Sequence, residues 1–270
     1  MSLKPARFAA FRTARPDPRL PDVRTAASGL LGALALATFA LAAAGCSVKG
    51  ADNVNVIVGK QAFVAKCGSC HTLARAGTKG IVGPNLDEAF AASVAEGLQR
   101  NTIRGVVEGQ VQIPNPEGVM PKNLVTGSTL RDVAAYVAQS ASRPGQDTGL
   151  LASAVPAPGA GKPAVEKAGK LEIPANPGGQ LAYATNAATA TPGPVTITMA
   201  NMSGVSHNIA VEPGTGGANP TTGAVLGASS FITSGSTSVT VSLKPGTYTF
   251  FCQAPGHRAA GMFGTLTVKP

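Results

Sequence analysis

Residues 67–71 read Cys-Gly-Ser-Cys-His, and this pentapeptide constrains the chain more than any other part of it. A helical turn can present both thiols to one group, with the imidazole directly behind them. The surrounding residues then have to fold about whatever that group is. They are poorly equipped to do without it. The chain has no Trp and only 4% aromatic residues. Between Asn55 and Ala141 two helical stretches are separated by loops punctuated by Gly83-Pro84, Pro114, Pro116 and Pro121. Val56 to Lys66 presents Val56, Phe63 and Val64 beside Gly59, and Thr129 with Asp132 has capping-box spacing ahead of Val133, Tyr136 and Val137. The reading is a small, loop-rich helical unit whose centre is filled by something other than side chains.

C-x-x-C-H is the attachment pattern of c-type haem, each thiol adding across a vinyl group with the His held beneath the iron. A thioredoxin-like redox pair would instead follow a buried strand in an α/β unit, which is missing. A zinc site would need a further ligand nearby, yet no Cys or His occurs between His71 and His207. A second axial ligand is sought downstream. Met120 stands in Gly118-Val119-Met120-Pro121, where a polar, Pro-rich loop offers little packing reason for a thioether. His plus Met raises the potential and closes the coordination sphere, favouring electron transfer over oxygen chemistry. The alternatives, a second His or water, leave Met120 an ordinary loop residue, and neither spare His fits.

Residues 55–141 resemble class I cytochrome c. The resemblance rests on Gly59 with Phe63, the C-x-x-C-H, Gly83-Pro84-Asn85-Leu86, the Met120 loop and Tyr136. It implies haem covalently held by Cys67 and Cys70, iron ligated by His71 and Met120, and the Gly59/Phe63 face packed on the Tyr136 helix. It also implies that the Pro84 carbonyl accepts the His71 Nδ1–H bond and so fixes the ring.

From residue 171 the periodicity changes to two. Val195–Met199, Ser238–Val241 and Gly264–Val268 alternate, with Gly/Pro/Asn/Ser clusters between them, which predicts an antiparallel β-sandwich. Its last loop carries Cys252, His257 and Met262 as C-x₄-H-x₄-M, and His207 stands upstream at a strand start. Two imidazoles and one thiolate in a trigonal plane with a long axial thioether make a blue-copper centre. Taken singly, each residue is more simply a buried Cys, a surface His or a core Met. All four in this order, with no other His in the domain, make coincidence a poor account. The segment resembles the cupredoxins, with Gly256-His257 and Gly261-Met262-Phe263-Gly264 the telling parts, and its loop spacing is like that of rusticyanin and auracyanin. The family implies a Greek-key sandwich, a rigid pocket with Asn208 bracing it near the Cys252 sulfur, and a His257 ring edge as electron port.

The rest of the chain concerns delivery. Residues 1–46 have a basic start, an uncharged Leu/Ala-rich run from Ala27 to Gly45, and Ala-Ala-Gly-Cys at Cys46, the layout of an export signal. The end resembles a lipobox, apart from Ala43 where Leu is usual, and the resemblance implies that Cys46 is a lipidation site. The competing readings are an uncleaved anchor and a simple cleaved signal. Residues 47–54 form a short tether. Residues 142–170, Ser142 to Lys170, show no apolar periodicity and read as a Pro/Ala/Gly-rich linker, of end-to-end distance roughly 30 Å if flexible.

The net charge of +9 suggests nucleic-acid binding only until it is mapped. Residues 1–46 hold six basic against two acidic residues, and 142–170 hold four against two. Neither folded unit carries a basic stripe, which argues against a nucleic-acid partner.

The expected architecture is therefore an all-α class I cytochrome c domain followed by an all-β cupredoxin sandwich, binding one haem c and one type 1 copper. The function it implies is one-electron relay between redox proteins, such as a quinol-oxidising complex and a terminal oxidase or reductase, at the extracytoplasmic membrane face of a respiratory chain. No small-molecule substrate is expected and the chain is not read as an enzyme. Copper nitrite reductases need a further three-His copper, and the three histidines here are already used; a dinuclear copper needs two cysteines in one loop. The alternative is an accessory redox subunit of a reductase or oxidase complex whose catalytic metal lies on another chain.

Overall fold

The computed structural model describes residues 53–270. The expected export signal, Cys46 and most of the 47–54 tether lie outside them.

The helical part begins with α1 (Val56–Lys66), started by Asn55, whose Oδ1 accepts from the backbone N–H of Ile57 and Val58 at 3.1 and 3.2 Å. After the cysteine motif come a two-residue hairpin, β1 (Thr72–Leu73) with β2 (Thr78–Lys79), and the short helices α2 (Leu86–Ala89) and α3 (Ala91–Ala95). Two longer helices follow, α4 (Arg100–Gln112) and α5 (Gly127–Ser140). Helix α1 lies close against α5 at Gly59, where a Cβ would collide with the Asp132 carbonyl oxygen and stand 3.0 Å from Tyr136 Cβ. Phe63 and Tyr136, both buried, meet there with ring centroids 6.3 Å apart.

The capping box anticipated at Thr129 and Asp132 is not formed. The helix starts earlier, with Thr126 at the cap, so Asp132 falls in its second turn. Asp132 faces α1 instead and accepts the Asn55 N–H at 2.8 Å, tying the head of one helix to the flank of the other.

The second part is a sandwich of two sheets. One has the order β3-β5-β11-β10-β7-β8: β3 (Ala164–Val165), β5 (Ala187–Ala190), β7 (Ala210–Pro213), β8 (Gly227–Ala228), β10 (Gly246–Phe251) and β11 (Phe263–Val268). The other has the order β4-β6-β9: β4 (Lys170–Glu172), β6 (Gly193–Asn201) and β9 (Gly235–Leu243). The chain passes between the two sheets repeatedly. The alternating runs read in the sequence lie within β6, β9 and β11, and their inward members Val195, Ile197, Met199, Val241, Leu266 and Val268 are buried.

The sandwich is not purely antiparallel. β11 with β5, β3 with β5, and β4 with β6 pair in parallel. Crossing from one sheet to the other between successive strands makes this possible, and residue alternation does not record strand direction. A single helical turn, α6 (His257–Ala260), also interrupts the β pattern between Gly256 and Gly261, too short to leave a period.

Residues 142–170, read from composition as an extended, semi-stiff linker, are fastened along their length. Asp147, 7% exposed, accepts from Arg75 Nε at 3.0 Å and from the Tyr136 hydroxyl at 2.8 Å, with Lys60 Nζ at 3.0 Å. Lys60 Nζ also donates to Leu151 O at 2.7 Å, and Gln61 to Ala154 O at 3.0 Å. Further on, β3 joins one sheet of the sandwich and Lys170 opens β4 of the other. The segment is held by polar contacts with residues far away in sequence, which apolar periodicity does not report.

The Asp147→Ala variant is expected to lose ~3–5 kcal/mol, because it leaves the buried Lys60 ammonium and Arg75 without their counter-charge. Denaturant unfolding of the full chain measures this. Burial pushes the Asp147 carboxyl up, but Arg75, Tyr136 and Lys60 together hold it below its ordinary value. Its contribution is therefore complete above the ordinary carboxylate range and fades as pH falls through that range and below.

Candidate metal centres

The first centre lies where α1 ends. Cys67, Cys70 and His71 follow that helix directly, with His71 N–H donating to Cys67 O at 2.9 Å. All three line an apolar cavity of about 550 Å³ with Phe63, Phe90, Val107, Val133 and Val137. Met120 lines the same cavity, as does Pro84. His71 Nδ1 donates to Pro84 O at 2.9 Å, which leaves Nε2 as the nitrogen able to bind a metal. Gly83 lies against the ring: a Cβ there would be 2.5 Å from His71 Cε1.

Burial and the neighbouring Cys70 push the Cys67 thiol up to about 12, so it is not the activated thiolate of a disulfide exchanger. The volume is that of a pocket for a sizeable organic ligand. Two thiols, an imidazole and a thioether on one apolar chamber fit a haem attached through both cysteines.

The second centre is at the end of the sandwich where β10 delivers Cys252 and α6 begins with His257. His207, fully buried, is bridged to Ile232 by paired backbone bonds of 3.0 and 2.9 Å. His207 Nδ1 lies 3.1 Å from His257 Nδ1 and 4.0 Å from Cys252 Sγ, and His257 Nδ1 lies 3.6 Å from that sulfur. A triangle of this size admits a metal ion ~2.0–2.3 Å from each corner. His207 Nε2 is buried with no hydrogen-bond partner, so Nδ1 is the nitrogen turned to the other two residues. Met262 is fully buried beside them; its N–H donates to His257 O at 2.9 Å and its carbonyl accepts from Cys252 N–H at 3.0 Å.

The electrostatics suit a soft cation. Burial, and then the nearby His257, lowers His207 to about 4, and burial lowers His257 as well, so both rings are neutral donors at neutral pH. Burial raises the Cys252 thiol, offset in part by the backbone N–H groups of Asn208 and Ala254 at the sulfur. Without a metal the site therefore holds a thiol, and binding a cation releases its proton.

Asn208 braces the pocket by a route the sequence did not specify. Its Oδ1 accepts from Gln253 N–H at 2.9 Å and its Nδ2 donates to Gln253 Oε1 at 2.8 Å, so the residue after Cys252 is strapped to the residue after His207. Tyr183, edge-on to Phe250, donates its hydroxyl to Asn208 O at 2.7 Å.

A second support was missed altogether. Arg258, next to His257, is buried, pairs with Glu212 at 2.6 Å, donates to Gly217 O and Asn219 O, and stacks 4.1 Å from the centre of the Phe251 ring. The signal was available: Arg258 is the only charged residue in the loop, and Glu212 interrupts an apolar strand.

Comparison with known proteins agrees with both halves. Residues 56–141 match the family model for cytochrome c, and residues 171–269 that for copper binding proteins of the plastocyanin/azurin family. Among solved structures, dithionite-reduced auracyanin from Roseiflexus castenholzii is 29% identical, covering 39% of this chain and 100% of its own, with a TM-score of 0.34. Auracyanin B is 29% identical over 42% of this chain and 97% of its own, with a TM-score of 0.33. Rusticyanin from Thiobacillus ferrooxidans is 24% identical over 40% and 82%, with a TM-score of 0.33. No curated protein matches the chain. The chain joins a cytochrome c domain to a cupredoxin domain, and with them the sites of a haem c and a type 1 copper. It is a redox, electron-transfer protein.

Proposed function

We propose that this chain relays single electrons between redox proteins of a respiratory chain at the extracytoplasmic face of the cell membrane, to which a lipid on Cys46 holds it. Cys67 and Cys70 attach the haem and His71 and Met120 ligate its iron, while His207, Cys252 and His257 hold copper with Met262 as the axial group. The observation that carries the reading is the convergence of His207, Cys252 and His257, all their ligand atoms within 4.8 Å, in the same folded unit as a 550 Å³ chamber lined by Cys67, Cys70, His71 and Met120. When bound, the two groups supply one-electron chemistry without proton transfer.

The protein's part is to keep both centres rigid. Pro84 fixes the His71 ring; Asn208 and Gln253, with Arg258 and Glu212, fix the loop that carries Cys252, His257 and Met262. Rigid ligands change little between oxidation states, so little reorganisation opposes the transfer. All three histidines of the chain serve these centres, leaving no set for a catalytic metal. This favours a carrier over an enzyme, and redox proteins as the partners on both sides.

Potentiometric titration of the full chain, followed in the haem bands and at ~600 nm, where Cys–Cu(II) charge transfer absorbs, is expected to give a reversible one-electron wave at each wavelength. Absence of the haem wave, or no absorption at the longer wavelength in copper-loaded protein, overturns the proposal.

A further inference from the structure

The loop beside the haem site and the loop beside the copper site touch. Residues 80–84 are fastened at three points to the cysteine motif and the residue that follows it. Thr72 Oγ1 donates to Gly80 O at 2.9 Å, Gly83 N–H donates to Cys70 O at 2.8 Å, and Pro84 O accepts from His71 at 2.9 Å. Between these points Ile81 projects outward, 70% exposed, and adds little to the core of either domain.

Its tip nevertheless meets the copper loop. A Cβ on Gly256 would lie 2.7 Å from Ile81 Cδ1 and 3.0 Å from Cγ1, so Ile81 occupies the space that any larger residue at 256 would need. Gly256 has φ +79°, a left-handed conformation suited to glycine, and the next residue is His257. The approach of the two domains is not confined to that atom pair. A crevice between them is lined by Gly68, Thr78 and Lys79 on one side and Gln180, Leu181 and Ala260 on the other, and a Cβ on Gly179 would collide with the Ala65 carbonyl oxygen.

From this juxtaposition we propose that Ile81 bridges the two centres, so that one electron passes directly between haem and copper within a single chain. The inference rests on the metal assignments of the proposed function. Electronic coupling decays steeply across empty space and less steeply along bonds and van der Waals contacts. The route runs from the His71 ring through its hydrogen bond to Pro84, along the backbone to Ile81, across one non-bonded contact to Gly256, and by covalent bonds to His257. The transfer oxidises one centre by one electron as it reduces the other, in either direction, and no bond or proton changes. Ile81 is a positioning residue that closes the one gap in the route.

Two measurements on the full chain with both metals test this. After a sub-stoichiometric pulse of reductant, haem and copper signals are expected to re-equilibrate in a first-order phase whose rate constant does not depend on protein concentration. Ile81→Ala slows that phase several-fold while both absorption spectra and both potentials stay as in the wild type, and Ile81→Leu restores it. In the fully reduced, diamagnetic protein, nuclear Overhauser contacts are expected between the Ile81 δ-methyl and the Gly256 α-protons, a readout independent of electron transfer.

A rate proportional to protein concentration, an unchanged rate in Ile81→Ala, or the absence of the methyl contact overturns the inference while the two spectra remain. Absence of either metal's spectrum would instead overturn the proposed function.

Discussion

The Cys252→Ser variant loses the Cys–Cu(II) charge-transfer absorption at ~600 nm completely and keeps the haem bands of the wild type. A serine hydroxyl is a hard donor that does not ionise in this range, so it supplies neither the thiolate that accepts the cation nor the sulfur orbital from which the band arises. Cys252 is 1% exposed, so the change also buries a hydroxyl, at a cost of ~1–3 kcal/mol if it is left unpaired. That cost stays local to the sandwich, and absorption spectra of copper-loaded wild type and variant decide the matter. A band surviving in the variant would place the copper thiolate elsewhere.

Met120→Ala has the second large effect, at the other centre. Met120 is half-buried, lines the haem cavity and is preceded by Val119, which is 78% exposed. Met120 packs against the buried core of the helical domain at the edge of this cavity, where the proposed function has its thioether ligate the iron. Its removal is expected to convert the iron from low to high spin and to lower the haem potential by on the order of 0.1 V or more. The copper band should not move. Electron paramagnetic resonance and potentiometric titration measure both changes, and an unaltered haem signal would remove Met120 from the coordination sphere.

The domains were legible because their signals are local. Helix α1 could be bounded from Val56 to Lys66 because its Gly59/Phe63 face lies within one stretch, and β6, β9 and β11 because alternation is visible in four or five residues. His207, Cys252 and His257 could be grouped because few residue types bind a soft metal and the chain has almost none to spare.

What was not legible depends on partners distant in sequence. Asp132 looked like a capping residue and instead binds Asn55, 77 positions away. Asp147 looked like a polar residue in a linker, since Lys60, Arg75 and Tyr136, which bury it, are remote. Strand direction in β4 and β5 was equally invisible, because a side chain alternates identically in parallel and antiparallel pairs.

The anchoring of residues 142–170 bears on how a chain like this can be taken apart or recombined. Its sequence is modular, two familiar domains with a Pro/Ala/Gly-rich seam, and invites a cut at the seam. Its structure is not. A break before Asp147 strips Lys60, Arg75 and Tyr136 of their common partner, and a break after Val165 takes an edge strand from the sandwich. The two redox units can be exchanged for others only together with the segment between them, which makes that seam part of what is inherited.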